Sequence, residues 1–156
     1  MTTKQTVSLF LYLPLTKEVI LARRAESESH SAMLQATIHG ELEERETPPH
    51  ALTRELYEES NLTLSDVKNL TALGEREVGD HTTEHCVYFM AAITKKKAAK
   101  IEPKDEISEF VFIKRQQLDQ IITKDYAAEN NINPGDAYVM FEDEREMLHE
   151  VFAHII

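Results

Sequence analysis

The chain has 156 residues and a formal net charge of −11, from 28 acidic and 17 basic side chains. That length is enough for one domain with a sizeable core. The acidic balance excludes a nucleic-acid polymer held by bulk electrostatics, but not a small phosphorylated ligand whose charge a metal ion neutralises locally. Cys86 is the single cysteine, so no intrachain disulfide can form, which suits a reducing, cytoplasmic setting. No apolar run is long enough to span a bilayer, so no membrane partner is expected.

Residues 7–13 and 18–25 are apolar runs separated by a turn at 14–17, which predicts two strands. Residues 7–15 have the apolarity of a signal-peptide core, with Lys4 ahead of them. Lys17, Glu18, Arg23 and Arg24 follow instead of a small-residue cleavage site, so the segment reads as a buried strand. A polar loop at 25–31 leads to a short strand at 33–38. Thr47 then suits a helix N-cap, Pro48 its first turn and Asn61 a left-handed stop. Leu52 and Leu56 give that helix a core-facing stripe. Strands are expected at 67–77 and 86–93, joined by the polar segment 78–84. A turn at Lys95-Lys96-Lys97, a strand at 109–113, a short helix beginning at 116–122 and a turn-rich break at 130–135 follow. Residues 141–155 form an amphipathic helix on Phe141, Met147, Leu148, Val151, Phe152 and Ile155. No repeat or linker marks a second domain. Such an order is compatible with a mixed sheet between helices, an α/β fold.

Chemistry concentrates at 40–62. Glu55, Glu58 and Glu59 stand at i, i+3 and i+4, within an arc of roughly 100° on a helix. Three carboxylates so placed repel one another in a bare helix, and they supply the hard oxygen ligands that a divalent ion takes. A solvated acidic face is the alternative reading. The full spacing is more specific. Gly40 is followed after five residues by Glu46, and seven residues later come Arg54, Glu55, Leu56, Tyr57, Glu58, Glu59, Ser60, Asn61 and Leu62. This resembles the Nudix box, G-x5-E-x7-R-E-U-x-E-E-x-G-U, with U bulky and aliphatic. Every specified position matches except the second glycine, which is Asn61, the residue that best replaces glycine in a left-handed stop. Two further departures lie in the loop over the phosphates. The chain reads Thr37-Ile38-His39-Gly40 where family members often read Pro-Gly-Gly, and Arg45 stands where they often carry glycine.

The resemblance implies a Nudix α/β/α sandwich over residues 1–156 and Mg²⁺- or Mn²⁺-dependent hydrolysis of a diphosphate bond. It implies Glu55, Glu58 and Glu59 as metal ligands, joined by the Gly40 carbonyl, and Arg54 paired with Glu46 to aim them. MutT-type members also carry a base outside the box. Glu106 is the candidate, with Asp105 and Glu109 as alternatives. Arg23, Arg24 and His39 are candidate substrate contacts. His81 and His85 resemble a metal cluster only weakly, and no Cys or His spacing suggests zinc.

The expected substrate is a small nucleoside diphosphate linked to another group. The run 35–44 loosely resembles members that remove pyrophosphate from nucleoside or pterin triphosphates. A homodimer is expected by resemblance alone. Two other functions compete. Isopentenyl diphosphate isomerases carry similar boxes but need a cysteine ahead of the box, whereas Cys86 lies after it. Non-catalytic Nudix-like modules bind nucleotides to regulate a partner, but often lose box acids that this chain keeps.

Overall fold

Alternation along the first strand, β1 (Lys4–Leu13), sets up both sides of the molecule. Val7, Leu9, Leu11 and Leu13 enter one apolar cluster and Phe10 the opposite one, and all are buried. A strand buried on both faces needs a layer on each. A computed structural model describes residues 3–78, 84–104 and 106–155; His81 and Asp105 lie outside the described residues.

A seven-stranded sheet is built from β1, β2 (Glu18–Arg24), β3 (Leu34–Ala36), β4 (Ile38–Glu41), β5 (Lys68–Val78), β6 (Glu84–Ala92) and β7 (Ile107–Ile113). Its main order is β3-β2-β1-β6-β5, with β4 joined to β1 and β7 to β2. β1 and β6 run parallel, and the other pairings in this sheet are antiparallel. Helix α1 (Pro48–Ser60) buries Leu52 and Leu56 against Val7, Leu9 and Ile38. The C-terminal helix, Glu142–His154, buries Met147, Leu148, Val151 and Phe152 against Phe10, Tyr88 and Met90 on the other face. This is the expected α/β/α sandwich around a mixed sheet. Among the described residues, no helix is long and apolar enough to cross a membrane.

Three expectations are corrected. The strand expected at 33–38 is two strands, broken at the buried Thr37. Thr37 Oγ1 accepts from Leu11 N–H at 2.9 Å and donates to Ile20 O. It thereby satisfies backbone groups where β1 exchanges β4 for β2 as its neighbour. The turn at 95–97 is a short helix, α2 (Lys95–Ala98), capped by Thr94. The helix expected from 116 is a 3₁₀ turn, Arg115–Gln120, followed by β8 (Ile121–Thr123). The β-branched Ile121-Ile122-Thr123 run favours a strand, and β8 pairs in parallel with β9 (Tyr138–Met140). Between them lies α3 (Lys124–Glu129), capped by Thr123. The C-terminal helix is therefore α4.

Candidate active site

Helix α1 is punctuated as its sequence requires. Thr47 Oγ1 accepts from His50 N–H at 3.4 Å, Pro48 opens the first turn, and Asn61 closes the last at φ 63°. Arg45 also has positive φ, 66°, the conformation that glycine takes without strain.

Arg54 ties the box together. Its Nε and Nη2 donate to Glu46 Oε2 and Oε1 at 2.9 and 2.8 Å, a bidentate pair. Its Nη1 reaches Glu55 Oε1 at 2.9 Å and Glu58 Oε2 at 3.1 Å, and Nη2 also donates to Glu41 O at 2.8 Å. The Glu46 side chain is only 3% exposed and stays out of the cleft lining. Hydrogen bonds from Arg54, then from the Glu43 backbone, hold its carboxyl down at about 2. Glu46 therefore orients Arg54, and Arg54 orients Glu55 and Glu58.

Glu55, Glu58 and Glu59 line a cleft of about 740 Å³ together with His39, Gly40 and Glu41 of β4. Gly40, paired with Val7 across β4 and β1, comes so close to α1 that a Cβ on it would lie 2.1 Å from Glu55 Cδ. Glu59 is buried. Its Oε2 accepts from His39 N–H at 3.2 Å, and its Oε1 has no partner among the described residues. Burial, then the charge of Glu55, pushes the Glu59 carboxyl up to about 9. Burial also pushes Glu55 up, against the pull of Arg54. These environments and oxygen donors fit a divalent cation. In its ionised form Glu59 offers Oε1 to a cation, and Glu55 and Glu58 flank one cationic group. As the side chains stand, no three His, Cys, Asp or Glu among the described residues converge on a common metal-binding point. The Arg54 guanidinium instead bridges two of the acids.

Glu106 lines the same cleft, and its charge raises both Glu55 and Glu59. Glu109 points elsewhere and pairs with Arg23 at 2.7 Å. The two arginines ending β2 part company. Arg24 lines the cleft, its Nη1 donating to Gln35 Oε1 at 2.8 Å and its Nε to Ser29 O at 2.7 Å. Arg23 lies outside the cleft lining and donates to the carbonyls of Ala32, Pro134 and Ala137 at 2.8, 3.2 and 3.4 Å. Alternation along the strand sends the neighbours to opposite sides, so of the two candidate substrate contacts Arg24 faces the cleft and Arg23 is held as a structural clamp. Arg23→Ala is expected to cost about 1–3 kcal/mol of stability and to leave kcat/KM nearly unchanged. Thermal denaturation beside steady-state kinetics checks this.

His39 lies at a junction. Its Nδ1 is 2.8 Å from Ser8 Oγ and its Nε2 is 3.7 Å from Glu84. Burial lowers its pKa, with Glu84 opposing. Together with Arg24 it lines both the cleft and a side pocket of about 180 Å³. Sequence reasoning missed this pocket. Tyr88 and Phe141 are among its walls, and Gln35, Asp143 and Glu144 bring polar groups to it. Tyr88 donates its hydroxyl to Asp143 Oδ2 at 2.5 Å. Burial, then the charge of Asp143, raises the Glu144 carboxyl to about 8, which favours its protonated form. One signal was present: Glu144 falls on the apolar stripe of α4, four residues before Leu148 and seven before Val151.

A model of the NUDIX domain matches residues 2–134. Comparison with curated protein sequences gives no match. Among solved structures the chain is similar to a MutT protein from Methanosarcina mazei, with TM-score 0.66, 12% identity, and 98% of this chain and 92% of that one covered. A C. elegans Ap4A hydrolase gives TM-score 0.66 at 16% identity over 97% of both chains. The E. coli dihydroneopterin triphosphate pyrophosphohydrolase gives 0.61 at 17% identity over 99% of both. At such identities these likenesses speak for the fold. The domain match covers most of the sequence and includes every box acid, so the chain belongs to the Nudix family.

Proposed function

We propose that the protein hydrolyses a nucleoside or pterin triphosphate, or a closely related nucleoside diphosphate derivative, with Mg²⁺ or Mn²⁺ as cofactor. The observation that carries this reading is the side pocket beside the acidic cleft, sharing Arg24 and His39 with it. Aromatic side chains among its walls suit a flat ring, and a protonated Glu144, the Gln35 amide and the Asp143 carboxylate offer both donors and acceptors to its edge. The phosphate chain then extends into the cleft. The Ap4A hydrolase and the dihydroneopterin triphosphate enzyme represent the alternatives. One pocket for a heterocyclic base favours the substrate with one base over a dinucleoside polyphosphate with two.

Glu55, Glu58 and Glu59, with the Gly40 carbonyl, are the proposed ligands. A divalent ion held by them would neutralise phosphate oxygens and acidify a water. Glu106 accepts the proton of the attacking water as its oxygen bonds to phosphorus and the bridging P–O bond breaks. Arg24 steadies the phosphates from the opposite wall, and Glu46 and Arg54 keep the box acids aimed.

The test is pyrophosphate and phosphate release from nucleoside triphosphates, dihydroneopterin triphosphate, nucleotide sugars, ADP-ribose, NADH and dinucleoside polyphosphates, with metal and with chelator. Metal-dependent pyrophosphate release from the triphosphates is expected. Turnover confined to nucleotide sugars or dinucleoside polyphosphates would sink the substrate assignment.

A further inference from the structure

The box's second glycine is Asn61 here, and its side chain makes a contact that glycine has no atoms to make. The left-handed stop needs only the backbone, whose N–H donates to Tyr57 O at 2.8 Å. The carboxamide reaches elsewhere: Asn61 Oδ1 accepts from Lys104 Nζ at 2.5 Å, across 43 residues of chain. Residues 94–104 pass the C-terminal end of α1 on two further supports. Lys97 Nζ lies 3.3 Å from Asp66 Oδ1, and Ala98 and Ile101 are buried in the cluster that holds Leu56, Leu62 and Val67. Past Lys104 the chain turns, with Ile107 N–H donating to Lys104 O at 3.0 Å and Ala25 N–H to Glu106 O at 2.8 Å. Both Lys104 and Glu106 line the cleft. The Glu106 segment is thus fastened to the end of β2 on one side and to Asn61 on the other.

We propose that Asn61 is a positioning residue whose carboxamide, through Lys104, fastens the Glu106 segment to the end of the catalytic helix. This departure from the box therefore adds a tie between two parts of the active site that are far apart in sequence. The inference rests on the reading of Glu106 as the base. A single exposed hydrogen bond contributes little to folding, but a small shift of a catalytic group costs rate steeply.

Asn61→Gly tests it, because glycine keeps the left-handed stop and deletes only the tie. Asn61→Asp restores the tie as a charge-assisted bond. The expected result is a kcat about five- to tenfold lower in Asn61→Gly with KM little changed, and near-parental kcat in Asn61→Asp. Lys104→Ala is expected to match Asn61→Gly, and the double variant to be no worse than either single one. Hydrogen exchange gives a second readout that needs no turnover: the Ala25 and Ile107 amides should exchange faster in Asn61→Gly while those of α1 stay protected. A parent silent on every substrate would defeat the function assigned above and leave this readout decisive. Unchanged exchange at Ala25 and Ile107 would overturn the tie. So would a KM defect in Lys104→Ala with Asn61→Gly silent, which would make Lys104 a direct phosphate contact.

Discussion

Gly40→Ala is expected to lower kcat/KM about 10³-fold while the protein stays folded. A Cβ at Gly40 would meet Glu55 Cδ at 2.1 Å, Oε1 at 2.3 Å and Cγ at 2.6 Å. One side must give way. β4 is held by its ladder to β1, with Val7 opposite Gly40 and Ser8 opposite His39, whereas the Glu55 carboxylate is the far end of a rotatable side chain. The carboxylate therefore moves and leaves Arg54 Nη1, along with the position from which it would ligate a metal. Gly40 is not among the residues with positive φ, so alanine meets no backbone strain there and the cost in stability should be near 1 kcal/mol. Measuring kcat/KM and the thermal midpoint on the same preparation separates the two effects. An active but strongly destabilised Gly40→Ala would mean that the close approach of β4 to Glu55 serves packing alone.

What could be read from the sequence follows the range of the interactions involved. Helix α1, its Thr47 cap and its Asn61 stop depend on neighbours within a turn or two, and so did the grouping of Glu55, Glu58 and Glu59. The β1–β2 hairpin was legible for the same reason. Thr37 breaks a strand because Leu11 N–H and Ile20 O need a partner, and no local pattern places those groups beside it. Arg23 and Arg24 look alike in sequence. Their difference lies in which face of β2 meets the cleft and which meets the carbonyls of Ala32, Pro134 and Ala137. Glu144 carried a signal, a carboxylate on an apolar stripe, but its meaning depends on Asp143, Gln35 and Tyr88 converging from α4, β3 and β6. β8 and β9 stabilise each other across α3, so neither short run declares itself alone.

Glu59→Gln should remove turnover by roughly 10³-fold or more and, in the metal-free protein, should raise stability at alkaline pH. Its carboxyl is pushed up to about 9 by burial and by Glu55, far above its value in an unfolded chain. Between those two values the folded state holds a proton that the unfolded state has released, so unfolding becomes easier as pH rises. The penalty is absent below about pH 4, grows through neutrality and is complete above about pH 9. It amounts to several kcal/mol at its full extent, with ~6 kcal/mol as the ceiling. Glu144, raised to about 8, adds a loss of the same sign that is complete near that pH. Glutamine keeps the shape of Glu59 and removes only its share. In chelator, the thermal midpoint of Glu59→Gln should exceed the parent's at pH 8 and match it near pH 4.5. Added Mg²⁺ should then raise the parent's midpoint and leave that of the variant nearly unmoved, because a cation binds the deprotonated carboxylate and offsets its burial. A gap between parent and variant that stays constant from pH 5 to 8 would show that Glu59 is not the group whose charge the fold resists. In that case the unpartnered Oε1 would lose its standing as a cation ligand, and Glu55 and Glu58 alone would have to hold the ion.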